Sequence, residues 1–400
     1  MRTFYGVSTP LRSRGPEEGT KVSFFELFFD LVFVFAVTQL SHRLLDHQTP
    51  GGALQVVLLL LAVWCGWIYT TWTTNWFDPD HPVVRATLTA QMLAALLMSA
   101  GIPQAFEGRG WWFAFGYVAF QLVRTSVVVW LTRASEFGRN FQRIYVWLLV
   151  ASVFWVAGAF VDDGWRVLLW IVAVCIDWSG PASRYIVPGL GRSTLADWSS
   201  IDGSHMAERC QLFVIIALGE SVLVTGMTFA DIGHGAAGAL ALAFGFLGSV
   251  AMWWIYFDRT AEAAAEAIAQ SADRGRLGRD AYTYLHIPMI AGVIVAAVSD
   301  ELVIAHPSGH TPAGTAAMLL GGPALFLAGH LLFKRAVFGR WSRPHVAALV
   351  ALAALIPATA ALPPLAVSGA DFAILAAVAM PSRMTRDVRR VHVTGHSGGR

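Results

Sequence analysis

Apolar runs of about 20 residues succeed one another along almost the whole of this 400-residue chain, and a run of that length crosses a bilayer core only as a helix that satisfies its own backbone groups. They fall at 24–44, 52–73, 86–103, 111–132, 144–161, 165–183, 206–228, 236–257, 282–304, 313–333, 345–362 and 366–381. The last is the weakest: it is short and starts beside Pro363 and Pro364, and its loss would leave the C-terminus on the outer side. The expected fold class is an all-α membrane protein of about twelve transmembrane helices. Composition points the same way, with 56% hydrophobic and 14% charged residues, against roughly 25% charged in a soluble domain. About twenty polar residues precede the first run, which is too long for the apolar region of a cleavable signal. That helix is expected to act as its own uncleaved anchor.

The net charge of +2 says little, because the charges are segregated. Lys and Arg concentrate in cytoplasmic loops. With the N-terminus inside, that side holds Arg2, Arg12, Arg14, Lys21, Arg85, Arg133, Arg139, Arg143, Arg184 and Arg192, the stretches Arg259 to Arg279 and Lys334 to Arg343, and the terminal cluster Arg383 to Arg400. Of the 28 cations, only Arg43, Arg109 and Arg166 then lie outside, while Arg124 and Arg209 fall within helices. The bias favours twelve helices with both termini cytoplasmic. The organisation expected is a cytoplasmic segment 1–22, transmembrane halves 23–190 and 191–381, and a basic, disordered cytoplasmic tail 382–400. The longest cytoplasmic connection, Arg259 to Arg279, reads as a short amphipathic surface helix ended by Gly275.

Internal repetition is faint. Asp30-Leu31 followed by Ala36 and Gln39 lines up with Gln211-Leu212 followed by Ala217 and Glu220, and Trp67-Ile68-Tyr69 recurs as Trp254-Ile255-Tyr256. Together these are compatible with two parallel six-helix halves related about the membrane normal.

Charges inside the spans are the candidate functional groups, because an ionised side chain at the bilayer centre costs roughly 2.5 to 3.5 kcal/mol on insertion scales. At 100° per residue, Glu26, Asp30, Val37 and Ser41 lie within about 60° on the first helix; His205, Arg209 and Glu220 do so on the seventh, with Glu220 about 16 Å further along. Gly219 and Ser221 flank Glu220, which would let backbone approach and supply oxygen ligands. Arg124 and Asp177 are roughly central in their spans and are buried-charge partners, Arg124 pairing with Asp177 or Glu220 in the simplest closure. Two readings stay open: paired charges that fix helix register, or carboxylates lining a proton or cation pathway.

The segments ELFFDLVFVFAVTQLSH at 26–42 and HMAERCQLFVIIALGESVL at 205–223 resemble the bacterial low temperature requirement protein A family, with a matching layout over residues 20 to 380. The resemblance implies a multi-pass protein of the bacterial inner membrane whose molecular activity is unassigned. It carries over Glu26, Asp30, His205, Glu208, Arg209, Gly219 and Glu220 as signature positions, with His286 in YLHIP a weaker one. It implies no cofactor.

Other signals are weaker. Cys65, Cys175 and Cys210 lie in apolar stretches without CxxC spacing and read as small apolar side chains. Asp300, Glu301, His306 and His310 read as a solvated loop rather than metal ligands. The tail GHSGG at 395–399 fits a nucleophile pattern with no strand before it. His330 reads as a hydrogen-bonding core residue, and Trp111, Trp112, Trp165 and Trp341 as interfacial anchors. Three functions remain: a secondary transporter or permease coupled through Glu220 and Asp30; a membrane-embedded enzyme on a lipid-linked substrate using Glu26, Asp30, His205 and Arg209; or a non-catalytic sensor or assembly factor. The partners expected are the bilayer, a proton or cation, and an unidentified small molecule or lipid, with no nucleic acid and no metal.

Overall fold

The structure, a computed structural model, describes residues 10–12, 21–133, 135–194, 196–198, 200–232 and 235–380. The terminal basic cluster, the GHSGG pattern and most of segment 1–22 lie outside the described residues. The described chain is helical, without strands: α1 Phe24–Asp46, α2 Pro50–Trp76, α3 Pro82–Gly101, α4 Gly110–Thr132, α5 Glu136–Ala159, α6 Asp163–Ala182, α7 Gly203–Ile232, α8 Ala236–Tyr256, α9 Glu262–Gln270, α10 Arg274–Leu277, α11 His286–Ala305, α12 Ala313–Phe338, α13 Arg343–Leu355 and α14 Pro364–Ala379. Among the described residues, 11 helical segments are long and apolar enough to cross a membrane, and α14 is a shorter apolar helix of 16 residues. About twelve membrane helices is therefore the architecture, and its weakest member is the one that Pro363 and Pro364 cut short.

Local chemistry sets the boundaries. Ser23 and Glu26 form a reciprocal capping box that starts α1, and Thr49 caps α2 with Pro50 in its first turn. The fifth span begins at Glu136 rather than 144, because Ser135 caps it and the polar residues of its first turns are bonded inward: Asn140 to Ser193, and Arg143 to the Leu190 carbonyl at 2.8 Å. The expected surface helix is also different. α9 follows a π-helical turn at Phe257–Ala261 and stops at Gln270, while Gly275 lies inside α10 against Trp198. Its Ala264 and Ile268 are buried, and Ile268 meets Gly203 at the start of α7, so α9 is packed on one side rather than lying free. Asp300 and Glu301 belong to α11 and not to the loop after it.

α2 is the central element, with every residue from Ala62 to Phe77 buried. Its polar face is satisfied from within: Thr70, Thr71 and Thr73 donate to carbonyls four residues back at 2.8 to 3.2 Å. α1 packs against α2, α3, α7 and α11. The pairings α1–α2, α1–α3, α2–α6, α3–α4, α4–α5 and α5–α6 recur as α7–α8, α7–α11, α8–α14, α11–α12, α12–α13 and α13–α14.

Two of these equivalent pairs use glycine to bring backbones together. A Cβ on Gly101 would stand 2.5 Å from the Phe113 nitrogen across α3 and α4, and one on Gly292 would stand 2.5 Å from the Phe326 nitrogen across α11 and α12. Gly292→Ala and Gly101→Ala are therefore expected to destabilise by about 1 to 3 kcal/mol through forced helix separation. Gly321→Ala has open space beside it and should be neutral or stabilising by up to about 1 kcal/mol. Apparent melting temperatures of the three variants in one detergent check the ordering.

Candidate functional site

Four of the sequence-predicted residues meet where α1 and α7 start. Glu26 caps its own helix, its Oε2 accepting from the Ser23 amide at 2.9 Å, and that same oxygen accepts from Arg12 Nη2 at 2.8 Å. Arg12 is brought there by an extended stretch in which its amide donates to the Trp76 carbonyl at 3.0 Å and Leu11 bridges Phe77. On the facing helix, Asp202 Oδ1 accepts from the amides of Ser204 and His205, fixing the first turn of α7. The Asn75 amide is oriented by accepting from the Asp202 backbone at 2.9 Å, so its Nδ2 faces His205 Nδ1 at 3.3 Å. The Nδ1 atom is then the acceptor, and Nε2 carries the proton that it donates to Glu26 Oε1 at 2.9 Å.

One turn deeper, Arg209 Nη2 donates to Asp30 Oδ1 at 2.6 Å, while its Nη1 stands 3.4 Å from Glu26 Oε1. The Trp67 indole donates to the same Asp30 oxygen at 2.8 Å, and the guanidinium lies 5.6 Å from the Trp67 ring. Glu26, Asp30, His205 and Arg209 are all fully buried. Two carboxylates face two guanidinium groups, so the formal charges cancel with the imidazole neutral. The arrangement can hold charge and pass a proton between Glu26 and His205, but none of these side chains lines the cavity described below.

The remaining candidates lie elsewhere. Glu208 accepts from the Val22 amide at 3.2 Å and ties down the chain before α1. Glu220 is buried in the middle of α7, and no described side chain hydrogen-bonds or ion-pairs with it. The backbone approach expected at Gly219 does not occur: that residue is exposed with open space beside it, because it lies on the opposite side of α7 from the buried positions. The expected Arg124–Asp177 pair does not form. Asp177 Oδ2 is taken by the Tyr117 hydroxyl at 2.7 Å and the Trp155 indole at 3.1 Å, two neutral donors from α4 and α5, while its Oδ1 is buried without a hydrogen bond among the described residues. Arg124 instead reaches Gly66, Thr70 and Thr125 at 3.3 to 3.4 Å, over the Tyr69 ring. His286 bonds the Tyr256 hydroxyl at 2.8 Å, and His330 bonds His345 at 2.8 Å between α12 and α13.

A cavity of about 180 Å³ lies on the side of α2 away from the ion pairs. Its floor is buried and holds Arg124 and Thr125; Tyr69, Trp72, Thr73 and Trp76 of α2 form one wall, and Tyr185, Trp198, Asp273, Arg279 and Thr283 close the others. Arg184 and Arg276 stand exposed at its rim. Arg184 and Tyr185 both have positive φ, of 58° and 47°, an uncommon backbone state for side-chain-bearing residues that recurs at ligand sites.

Sequence reasoning missed Arg12, Trp67, Asn75 and this cavity. One signal was present: Ser23-x-x-Glu26 is a capping-box pattern, which places Glu26 at a helix start rather than at lipid depth. The cavity had none, since its arginines come from α4 and from two connections far apart in the chain.

A helical bundle with many membrane-length apolar helices and charges sealed between two of them defines a multi-pass membrane protein. The chain belongs to the bacterial low temperature requirement A protein (LtrA) family, whose model matches residues 21–380. It is also similar to the uncharacterized protein RA0937 of Rhizobium meliloti (strain 1021), 40% identical over 319 residues that cover 79% of this chain and 78% of that one. No solved structure matches the chain.

Removing one member of the α1–α7 cluster tests its structural weight. Arg209→Met leaves Asp30 without its cation and is expected to cost about 3 to 5 kcal/mol, whereas Asp30→Asn with Arg209→Met, which removes both charges and keeps an acceptor for Trp67, should recover most of it. A double-mutant cycle on unfolding in detergent measures the difference.

Proposed function

We propose that the protein is a secondary transporter of permease type in the bacterial inner membrane, with both termini cytoplasmic and with halves 23–190 and 191–381 acting as parallel repeats. The observation that carries this reading is the cavity, whose walls come from both halves: Tyr69, Arg124 and Pro181 on one side, Asp273, Arg279 and Thr283 on the other. Recurrence of the helix pairings across the halves supports it, as does the parallel register of α1 and α7, in which Glu26 meets His205 and Asp30 meets Arg209 at equal steps. The repeat is uneven in detail. Tyr69 and Tyr256 both bury hydrogen-bonded hydroxyls, but Trp67 is buried on Asp30 while Trp254 is half exposed.

In this reading substrate enters at the arginine-rich rim and the halves rock about the α1–α7 junction. Glu220 is the coupling carboxylate, because it alone among the signature carboxylates Glu26, Asp30, Glu208 and Glu220 has no partner among the described residues. Asp30 takes part only if its bond to Arg209 opens during the cycle. The enzyme reading finds less support, since the Glu26–His205 pair is fully buried and does not line the cavity.

The test is access from two faces. With Cys65, Cys175 and Cys210 replaced by alanine, a single Thr125→Cys in the cavity floor is expected to react with a membrane-impermeant maleimide added to either side of reconstituted vesicles. Reaction from one side under every condition would leave a static vestibule and remove the transporter reading. Glu220→Gln should insert normally and abolish the response of opposite-side labelling to a pH gradient; an unchanged response removes Glu220 from coupling.

A further inference from the structure

Arg124 differs from the other buried cation of the membrane core that the signature positions define. Arg209 is neutralised at contact by Asp30, but Arg124, only 3% exposed, has no carboxylate within ion-pair distance among the described residues. Its hydrogen bonds run at 3.3 to 3.4 Å, longer than ordinary N–H···O bonds, and all end on neutral oxygens. Asp177 gives its Oδ2 to Tyr117 and Trp155 and makes no ion pair with Arg124. A buried guanidinium left in this state costs several kcal/mol unless an anion reaches it.

The cavity supplies the route. Arg124 lies in its floor and Arg184 stands at its rim; Arg276 and Arg279 also line it, paired with Asp273 at 3.6 Å and Asp280 at 2.8 Å, and Asp273 is the only lining acid among the described residues. The walls are aromatic: Trp72 and Trp198 meet edge to face at 5.3 Å, Trp76 packs on both, and Tyr185 lies over Trp198. The volume of about 180 Å³ slightly exceeds the roughly 150 Å³ in which an apolar cavity accepts benzene, which leaves space for a ring and a small charged head.

We propose that this cavity binds an organic anion with a small flat apolar body, its carboxylate or phosphate head on Arg124 and its body against Trp72, Trp76 and Trp198. The inference rests on the reading of the cavity as the substrate site. The guanidinium offers paired donors to the head, and the rim arginines raise the local concentration of anions before they enter. A soluble aromatic acid and an anionic lipid share the charged head that Arg124 would take.

Binding to the purified full chain in neutral detergent, followed by thermal shift and calorimetry, tests it with benzoate, phenyl phosphate, inorganic phosphate and benzylamine. Benzoate or phenyl phosphate should bind saturably and more tightly than inorganic phosphate, and benzylamine should not bind. Arg124→Gln is expected to weaken the aromatic anions at least tenfold, with partial recovery in Arg124→Lys. Should Arg124→Gln fail to fold, Arg184→Gln with Arg276→Gln, both at exposed positions, should weaken binding several-fold and flatten its salt dependence. In nanodiscs, competition by phosphatidylglycerol but not phosphatidylcholine points to a lipid headgroup as the source, and its absence to a soluble anion. Equal binding of benzylamine, no binding of any anion, or aromatic-anion affinity unchanged in the arginine variants overturns the proposal. Anion binding together with one-sided Thr125→Cys labelling would instead keep the site and remove transport.

Discussion

The bond between Arg209 and Asp30, with Glu26 and His205 one turn away, is the constraint on which the arrangement of the bundle depends. Its net contribution to stability is small, because desolvating the charges offsets their attraction. Its larger effect is on the alternatives. Rotating α7 by one residue, about 100°, would turn Arg209 away from α1, leaving its guanidinium and the Asp30 carboxylate buried without their ion partners and Glu26 held by Arg12 but not by His205. Sliding α1 by one turn would set Glu26 against Arg209 and strand Asp30. The cluster therefore selects one register between two parallel helices whose remaining contacts, Phe33 with Phe213 among them, are apolar and would tolerate others.

α2 carries this constraint across the molecule. Trp67 bonds Asp30 and Asn75 bonds His205, and these two residues lie about 80° apart on the helix. Tyr69, Trp72, Thr73 and Trp76, on the other side of the same three turns, wall the cavity. Trp72 and Trp64 also bond Thr283, which belongs to the connection before α11. One helix thus touches the sealed ion pairs with one face and the open site with the other. A rotation of α2 large enough to reshape the cavity must strain the Trp67–Asp30 bond, which couples the two regions without any direct contact between their charges.

Much of the bundle was legible in the sequence because lipid imposes a length and a polarity on every span. The helical arithmetic that put Glu26 and Asp30 on one face, and His205 and Arg209 on another, also carried through, since both segments are regular helices with fixed 100° steps. What failed was pairing between helices not adjacent in the chain. Asp177 has two neutral donors from Tyr117 and Trp155, and a hydroxyl or an indole in an apolar span carries no sign that it is reserved for a carboxylate. Gly219 was read as a point of close approach because glycine permits it, but permission is not occupancy: Gly101 and Gly292 face a partner helix and Gly219 faces outward. The cavity was invisible because its arginines sit on α4 and on two connections that fold back over it.

Depth in the membrane does not by itself separate functional charges from structural ones. Arg124 and Arg209 are the same residue type and both buried, yet sequence reasoning set Arg209 among the pathway candidates and Arg124 among the buried-charge partners. Their partners distinguish them. A guanidinium matched by a carboxylate at 2.6 Å already makes its strongest interaction, and any incoming anion would have to displace a covalently tethered competitor. A guanidinium held only by neutral oxygens at 3.3 Å or more has its strongest interaction still to make, and Arg124 has a cavity through which to make it. The same criterion, applied to the carboxylates, sets Glu220 apart from Glu26 and Asp30. Arg209 is thus paired where the cavity does not reach it, and Arg124 makes no ion pair among the described residues where the cavity does.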